Sequence, residues 1–207
     1  MPILTLHLLK LNKVTDAQSF IHQLKQSTKI VVSSRPRHIV IHPSLLDNNP
    51  LATTNWDLLL LLQNSAPTED PIPSTLRQSI QEEYKLTTGI PSKLLGTYSD
   101  RDADLKAKAC SIPLTGSLDE ILKGETKTTS QNLEVSPELL DFMRDVSKTH
   151  PGPVTMLNLL HFHHPDGKQN YFQYGQAFVP VAGKRGGSAK LVGNVVPPQG
   201  WDSPGIE

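Results

Sequence analysis

The chain has 207 residues, about 1.4 times the length of a typical domain, which fits one large domain or two small ones. Its 20 basic and 20 acidic residues give a formal net charge of zero, so no overall field attracts polyanions or an anionic membrane surface. The longest apolar run, 58–62, is too short to span a bilayer. We therefore expect neither a nucleic-acid-binding protein nor a membrane protein.

The cysteine content bears on the compartment. The single Cys110 cannot form an internal disulfide, and the first residues do not have the pattern of a secretory signal peptide. Disulfides are rare in reducing compartments. These features predict a cytoplasmic location.

The first part of the chain alternates between strand and helix patterns. Apolar residues over 3–11 predict a strand, and the helical spacing of apolar residues over 16–27 predicts a helix. The β-branched stretches 30–32 and 39–41 follow, with Pro36 between them. Because proline cannot donate a ladder hydrogen bond, we expect two short strands or one interrupted strand.

A leucine-rich run comes next. Residues 56–63 suit a strand buried on both faces, although leucine also favours helices. A helix is predicted to begin at Ser74, to carry an apolar stripe and to end by Gly89. The resulting order of strand, helix, strand, strand and helix is most of a ferredoxin-like unit.

The middle of the chain has weaker signals. The charged segment 99–104 predicts a solvated loop rather than a calcium loop, because the glycine and terminal glutamate of an EF-hand are absent. Ser117 and Glu120 match a capping box, which predicts a short helix over 118–123. Residues 125–135 are polar and poor in apolar side chains, which is typical of a linker.

The linker divides the predicted domains into an N-terminal unit, 1–124, and a C-terminal unit, 136–207. In the second unit, Ser136 followed by proline predicts the start of a helix. An apolar strand over 154–162, an aromatic-rich helix ending near Gly183 and a strand over 188–196 are then predicted. The second unit therefore ends after its second strand.

Three sequence features of the second unit occur in the same order in a known family. They are an L-N-L-L-x-F strand, a Y-x-x-Y-G helix and a double glycine before the next strand, all within 152–196. This stretch resembles a family of uncharacterised proteins with the dimeric α+β-barrel fold, related to EthD-like and small monooxygenase-like proteins. The resemblance covers about 45 residues and includes no catalytic signature.

The resemblance implies a ferredoxin-like α+β-barrel fold for the second unit. Together with the element order of the first unit, it predicts an α+β fold of two tandem ferredoxin-like units. In such a fold, one sheet face carries the helices and the other builds a barrel with a partner unit around a cavity for a small molecule. The family's unit continues through a second helix and strand that have no counterpart after Val196, so the second unit is expected to be incomplete. We expect a homodimer partner, or the first unit, to cover the unpaired sheet edge.

Asn158 is the most informative polar residue of the second unit, because it interrupts an otherwise apolar strand. A buried amide without hydrogen-bond partners costs about 1–3 kcal/mol. Asn158 could orient a carbonyl or hydroxyl group of a ligand in a cavity, or it could bond to a neighbouring backbone group. The sequence leaves both alternatives open.

The end of the same strand carries three histidines, His161, His163 and His164. His161 and His163 point to one face of a strand, but two imidazoles are not a metal site and Asp166 lacks a motif spacing, so no metal is predicted. A histidine at the mouth of an apolar cavity suits a general base near neutral pH. The alternative is a solvated strand end.

Other side chains allow two interpretations each. Tyr174 on the following helix could donate its phenol to a ligand or belong to the core. Single histidines at 7, 38 and 42 could face a cavity of the first unit or serve the structure. No P-loop, GxGxxG, GxSxG or HExxH motif occurs, and we expect no cofactor.

These residues support two functional hypotheses. The first is a cofactor-independent enzyme for a small apolar carbonyl or phenolic compound, in which His161 or His163 moves a proton while Asn158 and Tyr174 polarise an oxygen. Isomerisation, cyclisation and oxygenation are all compatible with it. The second is a non-catalytic ligand-binding or assembly module.

Overall fold

The structure is a computed structural model that describes residues 1–41, 49–64, 70–113, 123, 135–150 and 152–197. The described chain mixes helices and strands, which confirms the predicted α+β class. The strands are β1 (Ile3–Leu11), β2 (Lys29–Ser34), β3 (Leu58–Gln63), β4 (Ile80–Gly89) and β5 (Asn194–Val195). The helices are α1 (Ala17–Leu24), α2 (Asn49–Thr53), α3 (Ser74–Arg77), α4 (Ser92–Gly96), α5 (Tyr98–Lys108), α6 (Pro137–Thr149) and α7 (Gly167–Gly183).

The five strands form one sheet in the order β2-β3-β1-β4-β5. Strand β3 pairs antiparallel with both β1 and β2, and β4 pairs antiparallel with β5. In the first of these ladders His7 lies opposite Leu60. A register shift between Ile30 and Val32 interrupts the pairing of β2 with β3. Strand β1 therefore lies inside the sheet and not at its edge.

The chain divides into two compact units. The first unit comprises Ile3–Leu86 with Ser117–Gly152, and the second comprises Met1–Pro2, Thr87–Gly116 and Pro153–Glu207. The predicted linker, 125–135, lies outside the described residues except for its last residue, and so does the predicted helix 118–123 except for Lys123. The predicted domain boundaries therefore stay a prediction.

The hydrophobic core of the first unit lies between the sheet and α1. Side chains alternate between the two faces of a strand. One face of the sheet packs on α1, and its cluster contains Leu9, Leu11, Phe20, Leu24, Leu58, Leu60, Leu62, Ile72 and Leu76. On the other face of β1, Leu4, Leu6 and Leu8 are also buried. Burial on both faces explains why the β1 sequence is apolar without strict alternation.

The predicted helix from Ser74 to Gly89 is wrong. The structure has a single helical turn, α3, and then the ten-residue strand β4. Apolar residues at 80 and 84 are four positions apart, and an even spacing places them on one face of a strand as well as of a helix. Pairing decided between the two states: β4 lies beside β1 in the sheet, and Asn12 N donates to Ser79 O at 2.9 Å.

The segment predicted as a charged loop, 99–104, is part of helix α5. Two ion pairs at i, i+4 spacing stabilise it, between Lys106 and Asp102 at 2.6 Å and between Lys108 and Asp104 at 2.7 Å. The acidic residues therefore precede their lysine partners by one helical turn. The loop prediction considered only the acidic half of this pattern.

Three predicted strands are reduced or absent. Residues 39–41 and 154–162 have no strand assignment, and the predicted strand over 188–196 contains only the two residues of β5. Within the described chain, the apolar run 154–162 has no ladder partner. A strand needs a neighbour to satisfy its backbone groups, and a residue pattern alone does not supply one.

The predicted helices of the C-terminal half are confirmed as α6 and α7. The Ser136 side chain accepts a hydrogen bond from Leu139 N at 3.2 Å, and proline occupies the first turn of α6. Gly186, just after α7, has φ 77°, in the left-handed region that glycine adopts readily. The next residue's N–H, from Gly187, donates to Ala182 O at 2.8 Å and closes the helix end.

Candidate functional site

The four residues predicted as a site, Asn158, His161, His163 and Tyr174, all belong to the second unit and are all exposed. The His161 and His163 rings meet edge to face with centroids 6.5 Å apart. Tyr174 stacks on Phe178 with centroids 5.6 Å apart. The two histidines are thus neighbours, while Asn158 is not the buried amide that an apolar strand implied. Their catalytic roles stay predictions.

The first unit contains an open groove, which we call the β1–α1 groove. Its volume is about 710 Å³. It lies where β1 ends, α1 begins, β2 ends and β3 begins. Its lining residues are 10–13, 15–18, 21, 25, 33–35, 57, 58 and 81. None of the four predicted site residues lines this groove.

The apolar part of the groove is continuous with the core. Leu11 and Leu58 are 4% and 3% exposed, and both belong to the cluster between the sheet and α1. Ala17 and Ile21 of α1 are half-buried and pack against the same cluster. The half-buried Ala17 and Ile21 therefore give the groove its accessible apolar surface, and Leu11 and Leu58 join that surface to the core.

The two carboxylates of the groove already have partners. Asp16 accepts a hydrogen bond from Ser19 N at 2.8 Å and caps α1. Asp57 accepts from Leu11 N at 2.9 Å and lies 3.4 Å from Lys10 Nζ. Both negative charges are therefore committed to the structure of the groove.

Three cationic side chains of the groove have no such partner. Lys13, Lys25 and Arg35 line it, and all three are exposed. Within the described part of the chain, none of them forms an ion pair. They come from the loop after β1, the end of α1 and the end of β2, so no sequence motif joins them. Sequence reasoning missed them because the chain as a whole is neutral.

A second polar cluster lies inside the first unit, and we call it the His7 network. His7 is fully buried, and its Nδ1 donates to Glu83 Oε1 at 2.6 Å while its Nε2 lies 2.8 Å from Thr5 Oγ1. Arg77 donates to the other oxygen of Glu83 at 2.6 Å and to Asp70 at 2.5 Å. The network joins β1, α3 and β4, and enclosure of His7 fits the structural interpretation of this histidine.

The structure describes only one of the other two single histidines, His38. His38 stacks on Phe142 of α6 with ring centroids 4.4 Å apart, and its Nε2 lies 3.8 Å from Glu138. His42 lies outside the described residues. His38 is therefore engaged by a neighbouring helix within the first unit, like a structural histidine.

The network shifts the acidity of its carboxylates. Burial by itself raises the pKa of Glu83, but hydrogen bonds from His7 and Arg77 outweigh burial, so the pKa lies below its ordinary value of 4.5. For Asp70, burial is likewise outweighed by hydrogen bonds from Arg77 and Ile72 N, and the pKa lies below 3.8. Both carboxylates thus stay ionised in the fold under conditions that protonate the unfolded chain.

This shift predicts a pH-dependent stability. A lowered folded-state pKa contributes stability that is present above the unfolded value and is lost as pH falls through the folded value. At about pH 5.5 to 6, above the unfolded pKa, we expect the full difference in unfolding free energy between the wild type and Glu83→Gln. We expect this difference to shrink as the pH falls below about 4.5. Urea denaturation across this range measures it, and a difference that persists unchanged to about pH 3 would contradict the assignment.

Two further properties concern metals and membranes. Among residues 1–41, 49–64, 70–113, 135–150 and 152–197, no three His, Cys, Asp or Glu side chains are grouped as a metal site requires. No helix in the same part of the chain combines the length and the hydropathy needed to cross a bilayer.

Comparison with protein-family models, with curated proteins and with solved structures gave no match.

Proposed function

We propose that the protein binds a small molecule in the β1–α1 groove and acts as a non-catalytic ligand-binding α+β protein. The observation that carries the proposal is the groove itself. Its volume of about 710 Å³ lies within the range of about 300–1,000 Å³ in which small-molecule sites fall. It combines buried apolar side chains with a few polar groups, which is the usual composition of such sites.

The chemistry of the lining supports binding rather than catalysis. General acid–base catalysis needs a group whose pKa lies near the working pH, most often a histidine. Among the lining residues that the structure describes, none is a histidine, a cysteine or a tyrosine. Its ionisable groups are lysines, an arginine and the two carboxylates that cap α1 and bond to β1. These groups suit recognition of a ligand better than proton transfer to it.

The strand order supports a more specific fold proposal for the first unit. In a ferredoxin-like βαββαβ unit the fourth strand lies beside the first, which lies beside the third, with the second outermost. The order β4-β1-β3-β2 in this sheet matches that arrangement. The proposal includes two tandem ferredoxin-like units, 1–124 and 136–207, of which the second is incomplete. It also includes kinship with EthD-like α+β-barrel proteins.

A homodimer is also part of the proposal. The second unit exposes many large apolar side chains, such as Met156 at 66%, Phe172 at 66% and Val179 at 59%. Exposed apolar patches of this kind mark interaction surfaces. A cytoplasmic location belongs to the proposal as well, and its support is the single, free Cys110.

A bulky side chain in the groove should strongly weaken the binding of small fragments. Gln18 is exposed at the start of α1 and lines the groove, whereas Gln26 is exposed just after α1 and does not. We expect Gln18→Trp to weaken binding of small fragments at least 10-fold, because the indole occupies the ligand's volume. We expect Gln26→Trp to bind as the wild type does. Fragment titrations followed by ¹H–¹⁵N chemical shifts measure both variants.

The same spectra locate the site. Binding in the groove shifts amides of residues 10–18 and 33–35. If fragments bind Gln18→Trp as tightly as the wild type, the groove is not the site. If they shift only amides of residues 154–175, the site predicted around Asn158 and His161 replaces it.

A further inference from the structure

We infer that the ligand of the β1–α1 groove is a small carboxylic acid with an apolar body. The inference rests on the proposed function and adds the chemical class of the ligand. It follows from two properties of the lining, its excess of positive charge and its buried apolar surface.

The charge of the groove differs from that of the chain. Of the lining residues that the structure describes, four are cationic, Lys10, Lys13, Lys25 and Arg35, and two are acidic, Asp16 and Asp57. The difference, four minus two, is an excess of two positive charges, whereas the whole chain has a formal net charge of zero. A concave surface with a net positive charge attracts a ligand of negative charge.

The pairing within the groove leaves this excess available to a ligand. Lys10 lies 3.4 Å from Asp57 and is neutralised by it, while Asp16 is held by the backbone of α1. Lys13, Lys25 and Arg35 have no acidic partner within the described residues. The guanidinium of Arg35 has the fork geometry that binds a carboxylate through two hydrogen bonds.

The apolar part of the lining argues against a bare inorganic anion. Leu11, Leu58, Ile21 and Ala17 form a surface continuous with the core. Leu11 and Leu58 are almost fully buried, so the accessible part of this surface belongs to the half-buried Ala17 and Ile21. An anion without an apolar part would leave that part in contact with water, whereas an aromatic or aliphatic body would cover it at about 25 cal/mol per Å². A compact molecule with both parts fits the groove better than phosphate alone.

Three probes separate the two parts of the inference. Benzoate has the charge and the apolar body, benzamide has the body without the charge, and inorganic phosphate has the charge without the body. In NMR titrations at low ionic strength, we expect benzoate to bind most tightly and to shift groove amides. We expect benzamide and phosphate each to bind at least 5-fold more weakly, and added salt to weaken benzoate binding through screening.

Two matched triple variants test the cations. Because an exposed ion pair contributes a few-fold at most, we expect Lys13→Gln/Lys25→Gln/Arg35→Gln together to weaken benzoate binding about 10-fold. The control, Lys29→Gln/Lys93→Gln/Lys148→Gln, removes the same net charge from exposed positions outside the groove and should change binding less than 2-fold. All six side chains are exposed, and the amide spectra verify that both variants remain folded.

The outcomes distinguish this inference from the proposed function. If benzamide binds in the groove as tightly as benzoate and the groove triple variant behaves as the control, the charge assignment is overturned while the groove remains a binding site. If phosphate binds as tightly as benzoate, the assignment of an apolar body to the ligand is overturned. If no probe or fragment shifts groove amides and Gln18→Trp has no effect, the proposed function fails as well.

Discussion

Glu83→Leu is expected to lower the free energy of unfolding by about 2–4 kcal/mol, because it breaks the His7 network and leaves the buried donor of His7 without a partner. Glu83 accepts from His7 at 2.6 Å through one carboxylate oxygen and from Arg77 at 2.6 Å through the other. The His7 side chain is 0% exposed, so water cannot replace the lost acceptor. The Glu83 side chain is 23% exposed, which keeps the expected loss below that of a fully buried pair.

Urea denaturation of Glu83→Leu and of Glu82→Leu measures this effect against a matched control. Glu82 is the preceding residue of β4, is exposed, and accepts one exposed hydrogen bond from Thr54 at 3.0 Å. Its replacement should cost less than about 1 kcal/mol. Equal losses at the two positions would mean that the His7 network does not stabilise the first unit.

Phe20→Ala is expected to destabilise the first unit by about 3–5 kcal/mol, the usual cost of truncating a buried phenylalanine. Phe20 is 1% exposed and belongs to the cluster between the sheet and α1. Removing its ring deletes apolar contacts and leaves a cavity beneath the helix. Because Ala17 and Ile21 of the same helix line the groove, the variant should also weaken fragment binding.

Val14→Ala is the control for this prediction. Val14 lies after β1 in the same unit, is 96% exposed and does not line the groove, so its truncation should change the unfolding free energy by less than about 1 kcal/mol. Thermal and urea unfolding of both variants measure the difference. A loss below about 1 kcal/mol for Phe20→Ala would contradict the packing of α1 on the sheet.

Local signals were sufficient where one element carries its own start, stop and period. The apolar spacing from residue 16 predicted a helix, and Asp16 caps α1, while Ser136 with the following proline begins α6. The apolar runs of β1 and β3 predicted strands, and the leucine-rich run of β3 also predicted burial on both faces. In β3, Leu60 and Leu62 are buried on one face and Leu61 on the other. In these cases the information lies within about ten residues of sequence.

The residues of the proposed site required more than local signals. Lys13, Lys25 and Arg35 come from three separate elements, and only the packing of α1 beside β1 and β3 places them around one groove. Likewise, His7 and Glu83 are 76 positions apart and 2.6 Å apart in the fold. A single sequence does not show that these side chains lie close together, because the distance between them depends on how the elements pack.

The strand β4 and the run 154–162 illustrate the physical reason for this division. Their residue patterns were compatible with the wrong state, helix for the first and strand for the second, and the differences in intrinsic propensity are small. Residues 80–89 form a strand because pairing with β1 satisfies their backbone groups. Residues 154–162 pair with no strand within the described chain. Amino-acid pattern thus determined which segments are apolar, capped or broken, whereas pairing and packing decided which of them form the sheet and the groove.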